Sequence, residues 1–143
     1  WQAFAKYWPT FPVGRIMKKG THRTLKEPAL RGYNAPFPSK KYMQGARAWP
    51  QLVPSASDDP GVKQMVQARE VLKNWKKPAL IMFSDKDPIT RGAEKWFIKN
   101  IPSVNDESVI TIHGAGHFLQ EDHGKLIAKH IHEFIIRSNQ NPT

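Results

Sequence analysis

The second half of the chain alternates between helix-like and strand-like spacing of apolar residues. Residues 78–83 and 109–112 are short apolar runs between polar flanks, which is the pattern of buried parallel strands. Helical spacing precedes the first run, separates the two runs over about residues 90–100, and returns over about residues 122–137. The order helix, strand, helix, strand, helix predicts the edge of a three-layer α/β domain.

Local signals add detail to the first and last of these helices. We expect Asp59 to cap the helix before the first strand, with Pro60 at its first helical position. Its apolar spacing comes from Val62, Met65, Val66, Leu72 and Trp75. The final helix is expected to turn five side chains toward a core, namely Leu126, Ile127, Ile131, Phe134 and Ile135.

Residues 1–60 follow a different pattern, because they hold most of the 12 prolines. Each proline restricts the residue before it and interrupts regular elements. Short helices are predicted between these breaks, one over residues 27–33 and another from Ser39, a good N-cap, to Trp49. The region is therefore predicted to be a layer of short, aromatic-rich helices with little core of its own.

Two parallel strands do not make a stable sheet on their own. One flank would present unpaired backbone groups and exposed apolar surface. We therefore expect the chain to be the carboxyl-terminal part of a larger α/β domain.

Composition excludes several classes of function. The chain has no cysteine, so disulfides, thiolate zinc sites and a cysteine nucleophile are excluded. No apolar run approaches the roughly 20 residues that span a bilayer and no signal peptide opens the chain, so we expect a soluble, cytoplasmic protein.

The net charge of +10 favours anionic partners, but the lysine pairs are scattered without interleaved aromatic residues. A basic surface without a nucleic-acid or membrane partner is the preferred interpretation.

Polar residues follow each predicted strand directly. Asp85 and Asp87 come after the first, and His113 and His117 flank Gly-Ala-Gly after the second. Because the carboxyl ends of neighbouring parallel strands share one edge of a sheet, Asp87 and His117 are expected to meet there. An acid followed by a histidine in this chain order is typical of the last two members of an α/β-hydrolase triad. The acid orients the imidazole, which accepts a proton through its other nitrogen.

Other interpretations of these residues stay open. Either aspartate could cap the next helix, and His117 could be an ordinary loop residue. The Gly-Ala-Gly between His113 and His117 opposes a metal-binding helix and no HExxH pattern is present, so no metal site is predicted. No G-x-S-x-G elbow or aspartate variant of it occurs, so hydrolysis by the isolated chain is not expected.

Four segments of the chain form a recognisable set, namely FPVGRI (11–16), YNAPFPSKKYMQGARAWPQLVP (33–54), FSDKDPITRG (83–92) and GAGHFLQED (114–122). Together they resemble the haloalkane dehalogenases of the α/β-hydrolase fold. The resemblance implies a partial α/β-hydrolase fold. Residues 1–56 would form a helical cap segment, and residues 57–143 the carboxyl-terminal part of the parallel-sheet core.

The resemblance also implies a reaction. An aspartate carboxylate, absent from this chain, displaces halide from carbon, and water then hydrolyses the ester to an alcohol. His117 matches the base that activates this water, and Asp87 matches the acid that orients the base. Asp87 is favoured over Asp85 because it stands just before the pocket-lining pair, here Pro88-Ile89. Neither a metal nor an organic cofactor is implied.

The substrate site implied by the resemblance is apolar with a few donors. Trp1 matches the cap tryptophan whose indole N–H binds the halide. Trp49, Pro50, Val53, Ile89 and Phe118 match residues that line the cavity, and core packing is the alternative role for each. The implied partners are a small halogenated alkane, water, halide ion and the missing amino-terminal part of the core.

Two other functions are compatible with the sequence. A related cap-bearing hydrolase, such as an epoxide hydrolase or an esterase, would share the Asp-His pair without the halide site. A non-catalytic basic binding fragment would use only the surface charge.

Overall fold

The computed structural model of the protein describes residues 2–9, 11–105 and 108–140. The chain divides into two compact units, one of Trp1–Lys18 with Leu25–Ala68 and one of Lys19–Thr24 with Arg69–Thr143. The division into a cap of residues 1–56 and a core of residues 57–143 stays a prediction.

Short helices dominate the first unit. They are α1 (Gln2–Tyr7), most of α2 (Val13–Gly20), α3 (Glu27–Asn34) and α4 (Gln44–Ala48), with 3-10 turns at Lys40–Met43 and Trp49–Leu52. The last two residues of α2 belong to the second unit. The helix predicted over residues 27–33 is confirmed by α3. The helix predicted from Ser39 to Trp49 is instead divided into a 3-10 turn, α4 and a second 3-10 turn, and Ser39 makes no side-chain capping bond.

One arginine ties the first unit together. The Arg47 guanidinium donates to the carbonyl oxygens of Ala5 at 3.2 Å, Trp8 at 2.9 Å and Pro9 at 3.4 Å. These carbonyls lie at and after the end of α1, where helical partners run out, so the guanidinium satisfies them. A layer with few buried apolar residues thus gains part of its order from polar contacts.

Helix α5 (Val62–Lys73) begins later than predicted, and Asp59 does not cap it. Asp59 Oδ2 accepts the N–H groups of Ser55 at 2.6 Å and Ala56 at 2.9 Å, so the carboxylate faces back along the chain. Gly61 adopts a φ of 91°, which lies outside helical geometry and delays the start of α5 until Val62.

Within the described residues the sheet consists of two short parallel strands, β1 (Ile81–Ser84) and β2 (Val109–Ile112). Ile81 pairs with Val109 and Ser84 pairs with Ile112, so the two strands end level with each other. Both strand predictions and the parallel arrangement are confirmed. This register sends both following loops away from one edge of the sheet.

Helix α6 (Glu94–Asn100) is shorter than the predicted span of residues 90–100. The Thr90 hydroxyl donates to Asp87, and Gly92 has a φ of 91°. Because the left-handed glycine lies outside helical geometry, residues 90–93 form turns and α6 begins after them.

Helix α7 (Leu119–Gln140) is kinked at His123, where φ is −137° and ψ is 38°. It packs against β2 through a small core of Ile112, Ala115 and Ile127. The prediction for its apolar face is mostly wrong, because Leu126, Ile131 and Ile135 are exposed. Nothing else in the described part of this unit covers that face. Neither α7 nor any other described helix is long and apolar enough to cross a membrane.

Candidate active site

The loops after β1 and β2 are joined by main-chain hydrogen bonds that extend the strand pairing. The N–H of Asp85 donates to the carbonyl of Ile112 at 3.3 Å, and the N–H of Lys86 donates to that of Ala115 at 3.0 Å. The chain is therefore held in register past the ends of both strands, and side chains that follow them meet at one edge.

Asp87 and His117 meet at this edge although 30 residues separate them in the chain. His117 Nδ1 lies 3.0 Å from Asp87 Oδ2. Asp87 is 4% exposed and also accepts the Ile89 N–H at 2.7 Å and the Thr90 hydroxyl. The carboxylate is thus buried, with a donor set that fixes its orientation.

The surroundings of Asp87 keep it ionised. Burial raises the pKa of its carboxyl group, but the bonds from Thr90, His117 and Ile89 outweigh burial and lower the pKa to about 2. An ionised carboxylate can only accept hydrogen bonds, so Nδ1 of His117 carries the hydrogen of this pair. Nε2 is then the nitrogen of this ring that can accept a proton.

A second acid-histidine pair lies beside the first. His113 Nδ1 is 3.3 Å from Asp85 Oδ2, and the Gly114 N–H donates to Asp85 Oδ1 at 2.8 Å. The His113 side chain is 81% exposed, so water surrounds this pair. Burial raises the pKa of Asp85. The hydrogen bonds from Gly114 and His113 and the nearby charge of Lys86 outweigh burial, so the pKa lies below its ordinary value.

The main chain around His117 is fixed on both sides. The Gly116 carbonyl accepts the Ser84 hydroxyl at 2.8 Å, and the Phe118 N–H donates to the Gly20 carbonyl at 2.9 Å. A Cβ atom placed on Gly116 would lie 2.6 Å from the Gly20 carbonyl oxygen. The glycine before His117 is therefore required by a close approach of two backbone segments.

Asp122 is a buried carboxylate of this site that the sequence did not reveal. Its Oδ2 accepts the N–H groups of Gly116 at 2.7 Å and His22 at 2.9 Å, and its Oδ1 accepts that of Arg23 at 2.7 Å. The sequence placed Asp122 only at the start of the last helix. The local sequence shows only that an acid follows the glycine-histidine turn by a few residues. It does not indicate which groups the acid binds.

Two predicted pocket residues lie next to the Asp-His pair. The rings of Phe118 and His117 are 5.1 Å apart between centroids in an edge-to-face arrangement. The N–H of Ile89 binds Asp87, while the Ile89 side chain is exposed, 71% of the residue being accessible.

The other predicted pocket residues belong to the first unit. Pro50 is buried, Trp49 is 72% exposed, and Val53 is exposed with its carbonyl accepting the Gln2 amide at 2.7 Å. Trp1, the predicted halide donor, lies outside the described residues. Among the described residues, no three His, Asp or Glu side chains are grouped in a way that could hold a metal ion.

Comparison with known sequences points to one family. Two curated proteins with similar sequences are the haloalkane dehalogenases from Psychrobacter cryohalolentis and Mycobacterium marinum. The first is 43% identical over 135 residues, which is 94% of this chain and 45% of that protein. The second is 44% identical over 131 residues, which is 92% of this chain and 44% of that protein. The chain is homologous to part of a haloalkane dehalogenase. It spans less than half the length of these curated relatives, and no family model matches it.

Solved haloalkane dehalogenases share the fold. One from Paraglaciecola agarilytica is 27% identical with a TM-score of 0.79, covering 90% of this chain and 43% of that one. One from Bradyrhizobium elkani is 23% identical with a TM-score of 0.81, covering 97% of this chain and 47% of that one. The predicted fold class is therefore confirmed, because the chain has part of the α/β-hydrolase fold of the haloalkane dehalogenases.

Proposed function

We propose that the chain is the carboxyl-terminal part of an enzyme that hydrolyses carbon–halogen bonds, turning a haloalkane and water into an alcohol and halide. The observation that carries the proposal is the bond between His117 and the buried, ionised Asp87 at the ends of two parallel strands. The sequence identity to haloalkane dehalogenases over most of the chain supports this choice among hydrolases.

The first step of the proposed reaction uses a carboxylate from the part of the protein outside this chain. Its oxygen forms a bond to the halogen-bearing carbon while the carbon–halogen bond breaks and the halide leaves with the bonding electrons. No proton is removed from a carboxylate nucleophile, so His117 is not needed in this step. An indole N–H, which we assign to Trp1, stabilises the departing halide.

The second step depends on His117. Its Nε2 accepts a proton from water as the water oxygen forms a bond to the ester carbonyl carbon. The bond from that carbon to the alkyl oxygen then breaks, the alcohol leaves with the remaining water proton, the carboxylate is regenerated, and the imidazolium gives its proton to solvent. Asp87 stabilises the imidazolium that forms and holds the ring in the tautomer with hydrogen on Nδ1. The buried negative charge of Asp87 thus stabilises the positive charge that forms on the ring during hydrolysis.

Apolar side chains are proposed to complete the substrate cavity. The exposure of Trp49, Val53 and Ile89 supports a role in contacting groups from outside the described residues. Phe118 is proposed to line the cavity next to His117, since their rings are in contact. Pro50, which is buried, is proposed to form part of the wall behind Trp49.

The proposal is tested in the full-length protein that carries this sequence, with a brominated alkane as substrate. We expect the unmodified protein to release bromide continuously. We expect His117→Phe to release one bromide per active site and then to slow by at least about 100-fold, because a positioned general base contributes about 10²–10⁴-fold. Intact-protein mass spectrometry should find the alkyl group attached.

His113→Phe is the matched control, because His113 also pairs with a strand-end aspartate but is exposed to solvent. We expect this variant to turn over at the unmodified rate. Continuous turnover by His117→Phe would contradict the assigned base. An unmodified protein that releases no bromide but cleaves an epoxide or a carboxylic ester would support the related hydrolases instead.

A further inference from the structure

The carboxylate of Asp122 is buried but takes part in neither step of the proposed reaction. It is 4% exposed, and its three partners are all main-chain N–H groups. A buried carboxylate is costly unless donors compensate its charge. Burial raises the pKa of Asp122, and the three N–H groups together with the nearby His123 bring the pKa below its ordinary value.

The partners of Asp122 show what the carboxylate holds together. One is Gly116, the residue before His117, and the others are His22 and Arg23, in the segment of residues 19–24. The same segment accepts the N–H of Phe118, the residue after His117, through the carbonyl of Gly20. Both neighbours of His117 are thus tied to one short segment.

The tie leaves little freedom for the His117 main chain. The Gly116 N–H is bound by Asp122 and its carbonyl by the Ser84 hydroxyl, so both main-chain polar groups of Gly116 are held. The Gly20 carbonyl also blocks the space beside the Gly116 Cα. Since the ring of His117 extends from this main chain, a shift of the loop changes the distance from Nδ1 to Asp87.

We infer that Asp122 is a positioning residue for His117, which fixes the main chain on either side of the proposed base by binding Gly116 and the segment of residues 20–23. The inference rests on the proposed function. It assigns to Asp122 an effect on ester hydrolysis and none on halide displacement, because only hydrolysis uses His117. A misplacement of about 1 Å in a catalytic group can slow a step by about 100-fold.

The test substitutes Asp122→Asn in the full-length protein and follows bromide release from a brominated alkane in the pre-steady state. An amide keeps one acceptor oxygen but turns its NH₂ group toward an N–H donor, so at least one of the three bonds is lost. We expect a bromide burst at the unmodified rate, followed by hydrolysis slowed by about 10- to 100-fold per active site. The burst amplitude counts active sites, so partial misfolding lowers the amplitude without imitating slow hydrolysis.

Asp59→Asn is the matched control, because Asp59 also accepts main-chain N–H groups but binds Ser55 and Ala56 instead of the His117 loop. We expect its hydrolysis rate per site to be unchanged. If Asp122→Asn yields no folded protein, Asp122→Glu replaces it, since the extra methylene moves the carboxylate while keeping its charge. We expect the same selective slowing.

Hydrolysis at the unmodified rate per site in the Asp122 variant would overturn the inference, and so would an equal slowing of burst and hydrolysis. The failure of the proposed function has a different signature. In that case the unmodified protein releases no bromide, with or without Asp122.

Discussion

At the scale of single residues, burial separates two aspartates that look alike in the sequence. Asp85 and Asp87 both follow β1, and each accepts a bond from a histidine that follows β2. The side chain of Asp85 is 27% exposed and that of Asp87 is 5% exposed. The charge of Asp87 is therefore screened less by water, which makes it the stronger partner for an imidazolium.

The lowered pKa of Asp87 makes stability depend on pH. The folded pKa of about 2 lies below the ordinary 3.8, so the ionised form stabilises the fold by about 2 kcal/mol above pH 4. This contribution falls as pH drops from about 4 to about 2. We expect Asp87→Asn to reduce the free energy of unfolding at pH 7 and to flatten its decline below pH 4, measured by urea unfolding of the full-length protein. The exposed Asp58→Asn is the control and should leave the free energy of unfolding at pH 7 unchanged.

The close approach at Gly116 predicts a steric cost. In Gly116→Ala the new methyl group meets the Gly20 carbonyl and the His22 N–H, which are backbone groups that yield only if their segment moves. We expect a loss of about 1–3 kcal/mol in unfolding free energy. Gly32→Ala is the control, because nothing lies near its Cβ position in α3, and it should be neutral or stabilising by up to about 1 kcal/mol. If Gly116→Ala were as stable as the unmodified protein, residues 20–22 would have to move away from the new methyl group at little energetic cost.

At the scale of elements, the sequence predicted the presence of helices and strands more reliably than it predicted their first residues. The strands were predictable because runs 78–83 and 109–112 are apolar and sharply bounded. The starts of α5 and α6 were not, because Gly61 and Gly92 take positive φ values that depend on the surrounding turns. An aspartate before a proline signals a cap, yet Asp59 binds N–H groups upstream instead.

The core between β2 and α7 is small enough for one residue to dominate it. Ile112 is fully buried and contacts the cluster of Ala115 and Ile127. We expect Ile112→Ala to cost about 2–5 kcal/mol, because the lost methyl groups leave a cavity that the short strands fill poorly. Thr111→Ala, at the exposed neighbouring position, should cost less than 1 kcal/mol. Thermal unfolding of both variants in the full-length protein measures the difference.

At the scale of the whole molecule, the described residues leave much apolar surface uncovered. Exposed apolar side chains lie on α5, at Met65, Val66 and Val71, and on α7. A two-stranded sheet with such helices matches the expectation of a partial domain, and the chain spans 45% of a relative's length. The apolar spacing of α7 predicted a core-facing helix, but Leu126, Ile131 and Ile135 are exposed, and a surface that would cover them could not be read from this sequence.

We therefore expect the 143 residues alone to lack a cooperative folding transition. Near-UV circular dichroism should show weak tertiary signals with gradual loss on heating, while a dye that binds apolar surface should fluoresce strongly. The full-length protein is the reference and should unfold sharply without dye binding. A sharp transition with native-like dichroism from the 143 residues alone would contradict the view that the sheet needs further strands.

Part of the candidate site was predictable at this scale and part was not. The pairing of Asp87 with His117 followed from strand order, because parallel neighbours bring their carboxyl ends together. Asp122 was not predictable, because its partners lie 6, 99 and 100 residues away and contribute only main-chain N–H groups. Nearly every residue carries such a group, so no residue type marks the contact.

The loop that carries His117 is anchored through its main-chain groups, so its path does not depend on the histidine side chain. Gly116 and Phe118 are held by main-chain bonds that do not involve the imidazole of His117. We therefore expect replacement of the histidine to leave the path of the loop intact while the proton acceptor is lost. Under the proposed reaction, a substitution at position 117 alone would therefore leave a folded protein that takes up the alkyl group once and holds it covalently.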